Sequence, residues 1–196
     1  MDAYELLTTR RSAHTLIEPG PSAAQLERML AAAARVPDHG KLRLWRFLVV
    51  RGAARAALGS VWAEALQRRL PGLMDEIYAR EAAKVLRAPL LVVVACKAEP
   101  SHPKIPLIEQ LLSTGCAAFA LTLAAQAEGF GAMWKTGDAA YDDGVKRALG
   151  LVPSDRIVGF VHIGTDTESA PETADKIKRP DARTLTSEWT GALAPV

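Results

Sequence analysis

The sequence predicts a layered α/β or α+β sandwich formed by one domain over residues 1–196. Three observations carry that prediction. Segments with helical spacing of apolar residues alternate with short β-prone runs. Leu90-Leu91-Val92-Val93-Val94-Ala95 is apolar throughout, as expected of a central strand covered on both faces. The chain has 196 residues, 49% of them apolar, which is enough for one sizeable core.

The elements follow in order. A first helix is expected over Ala3 to Arg10. A second opens at Ser22, where Gln25 three residues on completes a capping-box signature. Leu26, Met29, Leu30 and Ala33 then mark one face, and Pro37 ends the helix. Phe47-Leu48-Val49-Val50 reads as a strand closed by Gly52. Ala54 to Arg69 is a helix broken by Pro71-Gly72, and a further helix is expected from Leu73 to Leu86. After the apolar strand comes a long helix from Leu107 to Glu128, with Gly129 as its left-handed cap. A short strand over Gly131 to Trp134, a helix over Asp142 to Leu149 and a core strand over Ile157 to Ile163 complete the body. The segment 166–196 is polar but carries Thr184-Leu185-Thr186 and Trp189. That strand-like run and tryptophan predict a C-terminal arm that packs on its own subunit or on a partner.

Composition excludes several classes. The net charge is +2 and no lysine-rich block is present, so nucleic acid is not an expected partner. The N-terminus carries Asp2, Glu5 and Arg10 instead of an apolar signal core, which predicts a cytoplasmic protein. Gln110 to Ala127 has no formal charge, but its Ala, Ser, Thr and Gly content predicts a buried helix and no membrane span. Cys96 and Cys116 lie far apart in apolar stretches and read as buried free thiols. There is no Walker loop, no Gly-x-Ser-x-Gly, no third glycine after Gly129-Phe130-Gly131 and no metal-ligand spacing among His14, His39, His102 and His162. That pattern points to a bound organic cofactor.

Three clusters bear on such a cofactor. Arg10-Arg11-Ser12 offers two guanidinium forks and a hydroxyl, suited to a phosphate, or alternatively to the dipole of a helix end. Arg35-Val36-Pro37-Asp38-His39 is either a plain helix stop or a turn that presents an imidazole. Trp134-Lys135-Thr136-Gly137 is either a capped strand end or a cation and hydroxyl facing a polar ring. Between them, Ser113, Thr114, Gly115, Cys116, Ala117, Ala118, Ala120, Ala124 and Ala125 make the long helix narrow. It serves either as a core helix or as the central helix of a two-fold dimer.

In this order and spacing the residues resemble FMN-dependent nitroreductases. Met1-Asp2-Ala3-Tyr4-Glu5-Leu6-Leu7 leads to Arg10-Arg11-Ser12. Ala34-Arg35-Val36-Pro37-Asp38-His39 with Trp45-Arg46-Phe47 then matches a short subfamily of these proteins. Glu109-Gln110, Ser113, Gly115-Cys116-Ala117, Gly129-Phe130-Gly131, Trp134, Ile157-Val158-Gly159-Phe160 and Ile163-Gly164-Thr165 continue the match over residues 1–165.

The resemblance implies a three-layer sandwich with a central mixed, mainly antiparallel sheet, and a homodimer with FMN at the interface. Arg10, Arg11 and Ser12 would hold the flavin from one subunit, with Arg10 and Ser12 nearest the phosphate. Arg35 and His39 would reach it from the other, and Trp134, Lys135 and Thr136 would line its far side. Ala124, Ala125, Gln126, Ala127, Glu128 and Gly129 match a segment assigned to nicotinamide contact. Lys178 and Arg179 resemble a late basic pair near the phosphate. The implied activity is reduction of nitroaromatic, quinone or related acceptors by NAD(P)H through ping-pong hydride transfer, with Lys135 or Arg11 steadying the anionic reduced flavin. The alternative is a flavin-binding carrier, sensor or scaffold without turnover. Two departures stand out: Lys135 occupies a position commonly held by arginine, and Gly40-Lys41-Leu42-Arg43-Leu44 is unusually basic. That basic stretch either favours a phosphorylated or acidic substrate or is simply a solvated loop.

Overall fold

A computed structural model describes residues 2–167, 180–189 and 191. Five strands form one sheet: β1 (Leu16–Ile17), β2 (Trp45–Arg51), β3 (Leu90–Cys96), β4 (Gly131–Lys135) and β5 (Arg156–Asp166). Six helices accompany them: α1 (Ala3–Thr9), α2 (Ala23–Ala33), α3 (Ala53–Arg69), α4 (Asp75–Ala83), α5 (Leu107–Ala127) and α6 (Asp143–Ala148). Every pairing among the described residues is antiparallel, with β3 between β2 and β5, and β4 and β1 also on β5.

The apolar run becomes β3, and all of it is buried. Its alternate residues feed two cores. Leu90, Val92 and Val94 meet Leu26 and Met29 of α2 and Ala118, Leu121 and Ala125 of α5. Leu91 and Val93 meet Leu58 and Trp62 of α3, Val85, and Val145 of α6. A bulge opposite Val94 and Ala95 shifts the register of β5 by one residue, so Ile157 and Phe160, three positions apart, both fall on the α3 side. The sheet is therefore the middle layer of three.

Local signals account for the element ends. The Ser22 hydroxyl accepts from the Gln25 amide at 3.3 Å, and Gln25 returns a bond to the Ser22 N–H at 3.0 Å. Gly129, at φ 85°, caps α5.

The structure corrects several expectations. α1 ends at Thr9, so Arg10 is its cap and Arg11-Ser12 lie beyond it. The helix expected to Leu86 stops at Ala83 and tightens into a 3-10 turn over Lys84–Arg87. Strand β1, two residues long, had no period to betray it. Cys96 is buried as expected, but Cys116 is exposed on the outer face of α5. Thr184 and Leu185 belong to a 3-10 turn rather than a strand.

Helix α5 is long and apolar enough to cross a membrane by length and composition. Its buried residues, from Gln110 to Ala125, nevertheless pack into the body of the domain. The opposite face leaves Ile108 and Leu112 each 61% exposed, with Cys116 and Phe119 continuing the stripe. Spacings of four, four and three residues put these side chains on one side of the helix.

Candidate functional site

The first cluster forms where α1 ends. The Ala13 N–H donates to the Ala132 carbonyl at 3.0 Å, which fixes Arg10-Arg11-Ser12 beside the start of β4. Gly131 makes this approach possible: a Cβ there would stand 2.7 Å from Leu16 and Asp166 side-chain carbons. Arg11 turns inward and donates to Asp166 at 2.5 Å, with 14% and 8% of the two side chains exposed. Ser12 is exposed. The cluster thus divides its work, with Arg11 closing an ion pair and Ser12 left at the surface beside Arg10.

The C-terminal end of α5 joins this region, because Gln126 donates to the Thr9 hydroxyl at 3.3 Å. The segment expected to contact nicotinamide is split by the helical turn. Ala125 is buried and Ala124 packs against the same core. Glu128 is held by Arg28 through two bonds of 2.7 Å, and that guanidinium keeps the carboxyl below its ordinary range. Gly129 is the cap, and Gln126 and Ala127 face outward.

Alternation along β4 separates Trp134 from Lys135. Trp134 packs on the α2–α5 side and donates to the Val158 carbonyl at 3.3 Å. Its indole lies over Gly159, where any Cβ would collide with the ring. Lys135 pairs in register with Phe160 and so takes the opposite side, shared with His162. His162 is buried, its Nδ1 has no hydrogen-bond partner among the described residues, and burial, aided by the charges of Arg87 and Lys135, lowers its pKa to about 4. Thr136 follows at the exposed strand end.

The second cluster lies at the other end of α5. The Ser113 hydroxyl donates to the Pro37 carbonyl at 2.9 Å, and His39 Nδ1 pairs with Glu109. The family-like pattern contains Glu109 but gives it no role in the site. Its partner is 70 positions away, a separation no local pattern reveals. Arg35 and His39 are both exposed.

The two clusters are therefore far apart within one chain. Seventeen residues of helix separate Glu109 from Gln126, about 25 Å at 1.5 Å per residue. Lys178 and Arg179 lie outside the described residues. Among the described residues no group of His, Cys, Asp and Glu is arranged to hold a metal ion. The donor set of Arg10, Ser12, Arg35 and His39 suits a phosphorylated organic cofactor.

Comparisons with known proteins agree with this architecture. Residues 7–165 match the model of the Nitroreductase family. The inferred NAD(P)H nitroreductase YdjA of Escherichia coli (strain K12) is 39% identical over 165 residues, 84% of this chain and 88% of that protein. An inferred NAD(P)H nitroreductase of Haemophilus influenzae is 39% identical over 181 residues, 92% of this chain and 97% of its own. A nitroreductase-like protein from Bacillus cereus shares the fold with a TM-score of 0.81 at 23% identity, covering 97% of both chains. A nitroreductase with bound FMN from Bacteroides fragilis does so with a TM-score of 0.67 at 21% identity, covering 100% of both.

Proposed function

Because the chain belongs to the nitroreductase family, we propose that it acts as a two-fold homodimer in which each FMN site is shared between subunits. It is an oxidoreductase of the NAD(P)H-dependent nitroreductase type. The observation that carries the shared site is the division of the two binding clusters between opposite ends of α5. Packing two copies of α5 antiparallel brings the Glu109 end of one against the Gln126 end of the other. The exposed stripe of Ile108, Leu112, Cys116 and Phe119 lies between those ends and is covered by the same packing.

In this reading Arg10 and Ser12 hold the flavin phosphate, and Arg11 fixes the loop through Asp166. The partner's Arg35 and His39 complete the cradle, with His39 oriented by Glu109. Trp134, Lys135 and Thr136 border it along β4, and Gln126 and Ala127 offer the outward surface of the nicotinamide segment. Lys178 and Arg179 are assigned to the phosphate by family likeness alone. Bound FMN supplies the two-electron chemistry between NAD(P)H and an oxidant. Donor and acceptor use one space in turn, which gives ping-pong kinetics. Nitroaromatic and quinone acceptors are the proposed oxidants, and the cytoplasm, where NAD(P)H is supplied, is the proposed location. The arm carries Leu185 and Trp189, 75% and 82% exposed, which supports its docking on the second copy.

The test is the visible spectrum of the purified protein before and after anaerobic NADH or NADPH. Flavin bands that bleach support the reductase. Bands that persist point to a flavin carrier or sensor. A protein that stays colourless after FMN is supplied overturns the reading.

A further inference from the structure

We propose that the cleft beside the Pro37-Asp38-His39 turn binds a phosphomonoester dianion carried by a substrate, and that this dianion is the 2′-phosphate of NADPH. The cleft has a volume of about 240 Å³ and is lined by Arg35, Asp38, Lys41, Arg43 and Trp45, among others. Arg35 belongs to the flavin cradle, so Lys41 and Arg43 are the cations left for this anion, beside the single carboxylate of Asp38.

Lys41 and Arg43 have no role in the flavin cradle. Among the described residues Lys41 and Arg43 form no ion pair, a state they share with most of the lysines and arginines, but they are the ones gathered with Arg35 along a single cleft. The one acid in the cleft is occupied with the loop itself. Asp38 Oδ2 accepts from the Arg43 N–H at 2.7 Å, and Ser113 Oγ stands 3.5 Å from Oδ1.

The backbone is shaped for this placement. Lys41 and Arg43 sit at φ 55° and 53°, a region that side chains other than glycine seldom adopt, and Gly40 precedes them at φ 72°. Arg46 holds the turn from outside by donating to the Arg43 and Trp45 carbonyls at 3.0 and 2.8 Å. The backbone that carries these two cations is thereby held at one rim of the cleft, with Trp45 offering an aromatic wall for the sugar or base. The same turn carries His39, so the donor's phosphate lies beside the shared site. The identity of the substrate rests on the reductase reading; the anion chemistry does not.

The experiment titrates the FMN-supplemented protein by calorimetry with 2′,5′-ADP and with 5′-AMP, which differ in the 2′-phosphate alone. The variant is Lys41→Gln with Arg43→Gln. Wild type is expected to bind 2′,5′-ADP about tenfold or more tightly than 5′-AMP, the effect of one or two charge-assisted bonds near a surface. The double variant should abolish that preference, raise KM for NADPH about tenfold and leave KM for NADH and FMN retention unchanged. Equal binding of the two nucleotides by wild type overturns the proposal, and this result is readable even if no flavin is reduced. Loss of FMN in the variant also overturns it, by giving the cleft to the flavin's own phosphate. If the variant instead raises KM for 4-nitrophenyl phosphate but not 4-nitrobenzyl alcohol, with NADPH unaffected, the phosphate belongs to the acceptor and the donor assignment fails.

Discussion

The two ends of α5 differ in how their charges are held. At the C-terminal end the charges are closed in pairs: Arg11 with Asp166, and Arg28 with Glu128. At the N-terminal end His39 pairs with Glu109, while Arg35, Lys41 and Arg43 line one cleft and form no ion pair among the described residues. Paired charges fix the register of α1, α2 and β5 around the first cluster. Unpaired cations keep their attraction for an anion that arrives from outside. The first end thus frames its proposed binding residues, Arg10 and Ser12, with closed pairs, the second keeps exposed cations beside its own, and the helix between them keeps the two out of reach of each other within one chain.

The largest change that would break this comparison is Leu112→Asp. It places a carboxylate on the exposed apolar stripe, and two copies would meet it at a two-fold contact. Sedimentation should show a monomer, FMN affinity should fall by about a hundredfold or more with the second half of each site gone, and far-ultraviolet circular dichroism should be unchanged. A dimer that survives would put the interface elsewhere.

Next in size is a pH effect centred on His162. The folded state holds this imidazole neutral down to about pH 4, whereas the unfolded chain takes up a proton near 6.5. The unfolded state therefore binds more protons between those values, and stability falls as pH drops through that window. The loss approaches about 3 kcal/mol at pH 4 and levels off below it. Urea melts of wild type and His162→Gln across that range would show it; an identical pH slope in both would remove His162 as the cause.

Arg11→Ala and Arg10→Ala sharpen the contrast within one cluster. Arg11→Ala removes the guanidinium that pairs with the nearly buried Asp166 and should lower the thermal midpoint. Arg10→Ala should weaken FMN binding more than Arg11→Ala does. Equal losses of flavin in the two variants would contradict the division of roles. Arg28→Ala, which opens an exposed pair, should be the mildest of the set, with a small shift in midpoint that shrinks further in salt.

Sequence patterns reached the fold better than they reached the site. The wholly apolar run from Leu90 declared β3, and Ser22 with Gln25 declared the start of α2, because both depend on neighbours in sequence. Strand β1 escaped because two residues have no period. The outer face of α5 escaped for a different reason: the helix is small and apolar nearly all round, so periodicity could not say that Cys116 faces out while Ala117 faces in. Arg11 could be recognised as a cation, but its commitment to Asp166, 155 positions away, could not. The same holds for His39 and Glu109. The basic run after Pro37 was visible; the left-handed turns that point Lys41 and Arg43 along one cleft were not.

The central claim is that each site takes Arg10 and Ser12 from one subunit and Arg35 and His39 from the other. Co-expression of an Arg10→Ala, Ser12→Ala chain with an Arg35→Ala, His39→Ala chain tests it most directly, with bound FMN measured by absorbance. Each variant alone should bind almost none. Random pairing makes half of the dimers mixed, each with one intact site, so about a quarter of the wild-type flavin should return. If no flavin returns while the mixed dimers form, the four residues do not build a site between subunits.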